Sequence, residues 1–235
     1  MLQILDTGTA LAQDNMNLDA KLLSELDPKG TPILHFYRWA GPSATYGHFI
    51  KPSDYFDLQK TQWHNLALAK RPTGGGIIFH IWDFAFSFLM PAENPHFSLG
   101  TLDNYRFVNE TVLEVMRGFF SLKGPVELHA TEPTEDLHFC MAKPTQYDVV
   151  HQGMKVAGAA QRRTKKGYLH QGSISLAFPH LDLLTDVLLS KQAIVAAMTE
   201  YSFAPLGRHW DAAQLQATRQ AIQEKLATQF KERLL

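Results

Sequence analysis

Three consecutive glycines, Gly74-Gly75-Gly76, lie between a run that reads as a strand, Leu66–Arg71, and an apolar run, Gly76–Ile81. This stretch constrains the fold more than any other. Consecutive glycines leave backbone N–H groups uncovered by Cβ atoms, so a ligand can approach the main chain closely, and left-handed dihedrals cost little. Arg71, just before them, offers a planar positive fork for a carboxylate, a phosphate or a polarised carbonyl. His80 closes the apolar run. A plainer reading of the same residues is a loose hairpin turn with a surface arginine, because glycine clusters usually punctuate strands. The company the stretch keeps decides between them.

At 235 residues the chain can build one large domain or two small ones around a real core. Hydrophobic residues make up 45% and charged residues 19%, as in ordinary soluble globular proteins. The formal net charge of −1 creates no global field favouring nucleic acid or an anionic membrane, so neither is expected as a partner. Cys140 is the single cysteine, which excludes an intramolecular disulfide and a Cys-rich zinc site and fits a reducing compartment. The first residues lack a basic n-region and a long apolar core, and no run approaches the roughly 18 apolar residues of a membrane span. The expectation is a cytoplasmic protein with no metal centre. The phosphate-binding Gly-x-x-x-x-Gly-Lys-Ser/Thr, the Gly-x-Ser-x-Gly elbow and His-Glu-x-x-His are all missing from the sequence.

Periodicity divides the chain into hairpin strands and a few helices. Strands are expected at Gln3–Leu5, Ile33–Trp39, Ala44–Ile50, Leu66–Arg71, Phe84–Met90, Val126–His129, Asp148–His151, Lys155–Ala157 and Tyr168–Leu176. Phe84, Phe86, Phe88 and Met90 alternate with Ala85, Ser87 and Leu89 as in a half-buried strand. Helices are expected over Asn15–Leu23, Thr101–Leu122 with Thr101 as its cap, His180–Leu189, Lys191–Glu200 and Asp211–Arg233, and a short one near Pro52. Gln161–Gly167 reads as a basic loop. Strands without regular βαβ alternation indicate α+β: a mostly antiparallel mixed sheet covered by helices.

Three further stretches could carry chemistry. In Gly153-Met154-Lys155-Val156-Ala157-Gly158-Ala159-Ala160-Gln161, a lysine sits among small apolar residues, where Gly158 and Ala160 leave room for something to lie against the strand. A lysine held there is a point charge for a carbonyl oxygen or phosphate; on an exposed hairpin face it is merely solvated. Cys140 lies near His138 and Lys143, which permits a lowered pKa and nucleophilic use, although a lone cysteine is most often a small buried hydrophobe. In Tyr168-Leu169-His170-Gln171-Gly172-Ser173, the residues His170, Gly172 and Ser173 could line a pocket wall.

Taken together and in this order, the pieces resemble the lipoate-protein ligase and octanoyltransferase branch of the biotin/lipoyl protein ligase superfamily. The family's Arg-Arg-x-Thr/Ser-Gly-Gly-x-Ala-Val-x-His is matched by Lys70-Arg71-Pro72-Thr73-Gly74-Gly75-Gly76-Ile77-Ile78-Phe79-His80. Its lysine motif, Gly-x-Lys-x-x-Gly-Ser-Ala-Gln, corresponds to Gly153–Gln161, with Ala159 in place of serine. Its Gln-His-Gly-Thr/Ser segment is similar to His170-Gln171-Gly172-Ser173 with the first two residues exchanged. Asn15-Met16-x-Leu18-Asp19 matches the early helix, and Tyr46-Gly47-His48-Phe49 resembles a family turn. Cysteine-dependent octanoyltransferases carry Cys-x-x-x-Pro-Ser-x-Tyr-Glu ahead of the lysine motif, and Cys140-Met141-Ala142-Lys143-Pro144-Thr145-Gln146-Tyr147-Asp148 fits it without a gap.

The resemblance implies a biotin/lipoyl ligase catalytic-domain-like fold over 1–190, with 191–235 as a C-terminal helical extension packed on it. It implies an acyltransferase of protein lipoylation that moves an octanoyl group from octanoyl-acyl carrier protein to a lysine of lipoyl domains, in glycine cleavage H protein or 2-oxoacid dehydrogenase complexes. Cys140 would carry the acyl group and Lys155 would be its catalytic partner. Arg71, Gly74, Gly75, Gly76, His80, Gly158, Ala160, His170, Gly172 and Ser173 would bind substrate, and no cofactor would be needed. Two alternatives remain. One is an ATP-dependent lipoate-protein ligase using ATP and Mg²⁺, favoured by Gly76, where the transferases often carry arginine. The other is a non-catalytic lipoyl-domain binding protein.

Overall fold

The computed structural model describes residues 1–120, 122–131 and 144–235. In chain order the elements are β1 (Gln3–Ala10), α1 (Ala12–Glu25), β2 (Ile33–Trp39), β3 (Ser43–Tyr46), a 3-10 turn (Pro52–Asp54), α2 (Leu58–Trp63), β4 (Ala67–Lys70), β5 (Ile77–Phe79), β6 (Asp83–Pro91), α3 (Thr101–Phe119), β7 (Val126–Leu128), β8 (Val149–His151), β9 (Met154–Thr164), β10 (Gly167–Ser175), α4 (Leu181–Val187), α5 (Lys191–Tyr201) and α6 (Ala212–Arg233). A seven-stranded sheet runs β1-β2-β6-β10-β9-β8-β7, and a three-stranded sheet runs β4-β3-β5. Between the named strands, parallel pairing is confined to β1–β2 and β3–β4; the other ladders are antiparallel. This is the α+β, mostly antiparallel arrangement the sequence led to expect.

Residue alternation assigns the two faces of the large sheet. Phe84, Phe86, Phe88 and Met90 of β6 join one large apolar core with Val108, Val112 and Met116 of α3 and Ile222, Leu226 and Phe230 of α6. Phe88 stacks on Phe230 with ring centroids 4.6 Å apart. The other face meets α1: Leu89 and Leu169 pack with Leu23 and Leu26, and Ala85 packs with Met16 and Tyr37. Here the structure corrects the sequence reading. β6 is not half-buried, because every residue from Asp83 to Pro91 is buried. The small residues of the alternation mark a face covered closely by α1, not a face open to water.

Three more expectations change. Arg162 and Arg163, read as part of a basic loop, extend strand β9 as exposed residues. Their side chains reach the carbonyls of Pro72 and Leu99. Gly100, not Thr101, occupies the N-cap of α3; Ser98 and Asn104 hold that end through reciprocal bonds, Ser98 N–H to Asn104 Oδ1 at 2.8 Å and Asn104 Nδ2 to Ser98 O at 2.7 Å. Helix α2 was not anticipated; Asp57 caps it, accepting from Gln59 N–H and Lys60 N–H. The hairpin at Gln152-Gly153 has φ of 51° and 79°, the left-handed pair that a two-residue turn of matching twist requires.

The small sheet presents the glycine stretch. β4 delivers Arg71, the chain turns through Gly74–Gly76, and β5 returns along β3. Gly47, after β3, lies directly against the glycines: it donates its N–H to Gly76 O at 3.2 Å, and His48 N–H donates to Thr73 O at 3.0 Å. A Cβ on Gly47 would collide with the Gly75 carbonyl. Gly75 has φ +81°.

Candidate active site

Two buried clusters meet along the β9–β10 strand pair. The first surrounds Arg71. Its guanidinium donates to Thr45 O at 3.1 Å, Thr45 Oγ1 at 2.9 Å, Gly74 O at 3.0 Å and Gly76 O at 2.8 Å. The fork expected to meet a ligand therefore grips the carbonyls of the glycine turn and fixes the turn's shape. Thr45 Oγ1 in turn meets His80 Nε2 at 2.8 Å. His80 Nδ1 donates to Asp83 Oδ2 at 2.8 Å, and Ser173 Oγ donates to the same oxygen at 2.7 Å. The His80 ring stacks on Trp39 with centroids 4.2 Å apart. From α6, Arg219 donates to Ile81 O and Asp83 O, both at 2.8 Å, and so pins the turn that carries the His80–Asp83 pair. Burial pushes the Arg219 guanidinium below its usual pKa.

A polar chain runs from the same turn into the sheet. Thr73 Oγ1 donates to Gln171 Oε1 at 2.7 Å, and Gln171 Nε2 donates to Asp19 Oδ2 at 2.6 Å. Ser87 Oγ also donates to Asp19 Oδ2, at 2.5 Å, and His35 Nδ1 to Asp19 Oδ1, at 2.8 Å. Asp19 and His35 are both fully buried. Such a carboxylate is tolerable only because three donors satisfy it.

The second cluster surrounds Lys155. Its Nζ lies 2.6 Å from Asp148 Oδ2, and both side chains are buried. Tyr105, from α3, donates its hydroxyl to Asp148 Oδ1 at 2.6 Å and accepts from Ala159 N–H at 2.8 Å. Burial first, and then the Asp148 charge, hold that phenol well above its ordinary pKa. Thr145 donates to Asp148 Oδ2 through both its N–H, at 2.7 Å, and its hydroxyl, at 2.8 Å. Gly158 makes room for the lysine: a Cβ there would lie 2.5 Å from Lys155 Cε and 2.6 Å from Nζ. The lysine is thus not a solvated hairpin residue but a charge locked into the wall of the sheet.

The β9–β10 register joins the clusters, with Gly158 opposite Ser173 and Ala160 opposite Gln171. A small cavity of about 10 Å³ brings together Arg71, His80, Gln171, Gly172 and Ser173. A second, of about 40 Å³, is lined by Ile77, Ile78, Asp83, Ser173 and Ser202 among others. Ser202 is bridged to Lys155, and Phe203 N–H donates to Lys155 O at 2.8 Å.

His170 departs from the expected pocket wall. It points to the opposite face from Gln171, between Phe86 and Tyr105. Its Nδ1 lies 2.8 Å from the Gln161 side-chain amide, and its Nε2 has no partner among the described residues. Burial pushes its pKa down to about 3. Gln171, on the other face, faces the glycine turn in its place. Cys140 lies outside the described residues; the chain after it is pinned at Thr145–Asp148 beside Lys155. Sequence reasoning missed Asp148, Tyr105, Thr45 and Asp83 as partners. Only Asp148 carried a signal, as the last residue of the segment matched to the cysteine motif. Tyr105 is one aromatic residue among many on a helix.

A model of the lipoyl protein ligase A/B catalytic domain matches residues 12–231. The chain is similar to octanoyltransferase LipM of Anoxybacillus flavithermus, 30% identical over 194 residues, which cover 80% of this chain and 68% of that protein. It is also similar to LipM of Geobacillus kaustophilus, 30% identical over 180 residues, covering 74% of this chain and 65% of that one. The chain thus spans about two thirds of the length of these relatives. Among solved structures, a bipartite lipoate protein ligase from Thermoplasma acidophilum, studied with its E2 lipoyl domain, has the same fold, with a TM-score of 0.73 at 22% identity, covering 100% of this chain and 84% of that one. The chain belongs to the lipoyl protein ligase A/B catalytic-domain family.

Proposed function

We propose that this protein is an octanoyltransferase that moves an octanoyl group from an acyl carrier thioester to a lysine of a lipoyl domain. The observation that carries the reading is the Lys155 site at the end of the segment that begins at Cys140. Thr145, hydrogen-bonded to Asp148 beside Lys155, is five residues after Cys140. Five residues of chain span at most about 17 Å, a tether short enough for the role proposed for the Cys140 thiol at this site. Relatives named octanoyltransferase support the same conclusion.

In this reading the Cys140 thiolate attacks the thioester carbonyl, and the Lys155 ammonium stabilises the oxyanion of the tetrahedral intermediate. The C–S bond to the carrier breaks, and the carrier thiolate leaves and takes up a proton. The neutral ε-amine of the acceptor lysine then attacks the acyl-cysteine. The amide forms, the amine loses a proton, and the Cys140 thiolate is released. Asp148 orients Lys155 and keeps its charge in the wall. Arg71, Gly74, Gly75, Gly76 and His80 shape the acyl pocket with Gly158, Ala160, Gly172 and Ser173. An octanoyl chain gains about 0.8 kcal/mol per buried CH₂, enough to select length. His170 acts through packing rather than contact. The reading needs no cofactor, and residues 191–235 serve as a helical extension that closes the core. No helix among the described residues is long and apolar enough to cross a membrane, and we read the site of action as the cytoplasm.

The test is intact mass after mixing the protein with octanoyl-acyl carrier protein without ATP. One octanoyl adduct, removed by hydroxylamine and missing in Cys140→Ala, is expected; a fully active Cys140→Ala would sink the acyl-cysteine step. Likeness to a lipoate protein ligase fold, together with Gly76, favours a second reading, in which free lipoate with Mg-ATP suffices. Acid-dependent release of pyrophosphate would select it.

A further inference from the structure

Two residues that line the cavity beside Ser202 carry buried polar atoms that the proposed chemistry leaves unused. Its walls are mostly apolar, from Ile77, Phe79, Phe178, Leu181 and Met198, with Ser173, Ser175, Thr199 and Ser202 among them. Trp82 and Asp83 also line it; both are more than nine-tenths buried. Among the described residues, Trp82 Nε1 and Asp83 Oδ1 have no hydrogen-bond partner. One is a donor and the other an acceptor. Buried polar atoms left unpaired cost free energy, so an orphaned pair at one cavity calls for an occupant. Exposed Arg208 also lines the cavity, its guanidinium 4.9 Å from the centre of the Phe178 ring.

We propose that this cavity seats one amide of the phosphopantetheine arm of the acyl carrier, the rest of the arm running out past Arg208, an inference that rests on the octanoyltransferase reading. A secondary amide presents one C=O and one N–H, the complement of Trp82 Nε1–H and Asp83 Oδ1. The arm carries two such amides between apolar links and ends in a phosphate, for which Arg208 supplies the cation at the exposed side. Ser202, bridged to Lys155, sets the same cavity against the reacting centre. The acceptor lysine fits less well: an ammonium has no lone pair for the Trp82 N–H, and Arg208 would repel it on entry. The His80 and Ser173 bonds occupy Asp83 Oδ2 and leave Oδ1 as the acceptor still available to an amide.

The experiment compares Trp82→Phe, which keeps an aromatic ring and deletes the donor, and Arg208→Ala, at the surface, with the wild type. Substrates are octanoyl-acyl carrier protein and octanoyl-mercaptoethanol, a thioester with no amide. Trp82→Phe should raise KM for the carrier about tenfold, from the loss of one buried hydrogen bond, and leave KM for octanoyl-mercaptoethanol unchanged. Free 4′-phosphopantetheine should inhibit the wild type better than pantetheine does, and Arg208→Ala should erase that difference. A structural defect would shift both thioesters together, and that result would overturn the proposal. Unchanged carrier KM in both variants would also overturn it while leaving the transferase standing. A rise in KM confined to the lipoyl domain would assign the cavity to the acceptor lysine instead. A wild type that transfers octanoyl from neither thioester would remove the transferase reading, and this inference with it.

Discussion

Strand β10 is buried on both sides, yet its two faces are built by opposite rules. On the face toward α1 and the glycine turn, Gln171 and Ser173 belong to a continuous polar chain that runs from Thr73 through Asp19 to His35, and from Ser173 through Asp83 to His80. On the face toward α3 and α6, His170 and Gly172 lie against Phe86, and the histidine keeps one nitrogen without a partner among the described residues. Burial is equal; the supply of partners differs. Burial alone therefore does not tell a site residue from a core residue. The histidine expected to bind substrate is on the packing face, and the glutamine beside it is on the wired face.

The contrast can be broken at the polar chain first. Asp19→Ala removes the acceptor of three buried donors, and a loss of about 3–5 kcal/mol is expected; a denaturant midpoint within error of the wild type would mean that the chain is not structural. Next comes the packed face. A Cβ on Gly172 would lie 2.5 Å and 2.6 Å from two atoms of the fully buried Phe86 ring, so Gly172→Ala should cost about 1–3 kcal/mol through overpacking. Gly74→Ala, where an added Cβ meets nothing within 4 Å, serves as the comparison and should be nearly neutral in thermal unfolding.

The pH dependence sharpens the same contrast. His170 titrates at about 3 when folded and near 6.5 when unfolded. Between these values the unfolded chain binds more protons, so its contribution is complete above pH 6.5. That contribution falls by about 1.4 kcal/mol for each pH unit below. Urea titrations from pH 7 to 4 should show a shallower acid limb in His170→Gln. A smaller loss is expected for Ser173→Ala, which removes one of two donors to Asp83 Oδ2 and should cost about 1 kcal/mol; a double-mutant cycle with His80→Gln would measure how far the two donors act as one.

Much of this architecture is legible in the residues, because period-two alternation and turn glycines act locally. Ile33–Trp39 is a strand with the bounds the pattern gives, the Gln152-Gly153 turn is where its residues put it, and Leu215, Ile222, Leu226 and Phe230 are all buried along α6. What escaped was partnership at long range. Ala85, Ser87 and Leu89 look like a solvent face until α1 is placed over them. Arg71 looks like a ligand fork until the carbonyls of Gly74 and Gly76 close on it. The resemblance of Gly153–Gln161 to the family's lysine motif marks Lys155 as a site lysine, but nothing in the sequence says that Tyr105 on a distant helix would hold the carboxylate that holds it.

The Phe88–Phe230 stack and the Arg219 clasp on Ile81 and Asp83 have a consequence for biogenesis. Both tie the centre of the large sheet to a helix made well over a hundred residues later, Arg219 lying 138 residues after Ile81. During synthesis, a nascent chain that stops short of residue 230 exposes the Phe84–Met90 strand with its aromatic row uncovered, a segment prone to associate with its own kind. Contacts of such wide sequence separation also slow the search for the native state. A ribosome-bound chain should thus stay protease-sensitive at β6 until α6 has left the exit tunnel, and then become resistant in a single step.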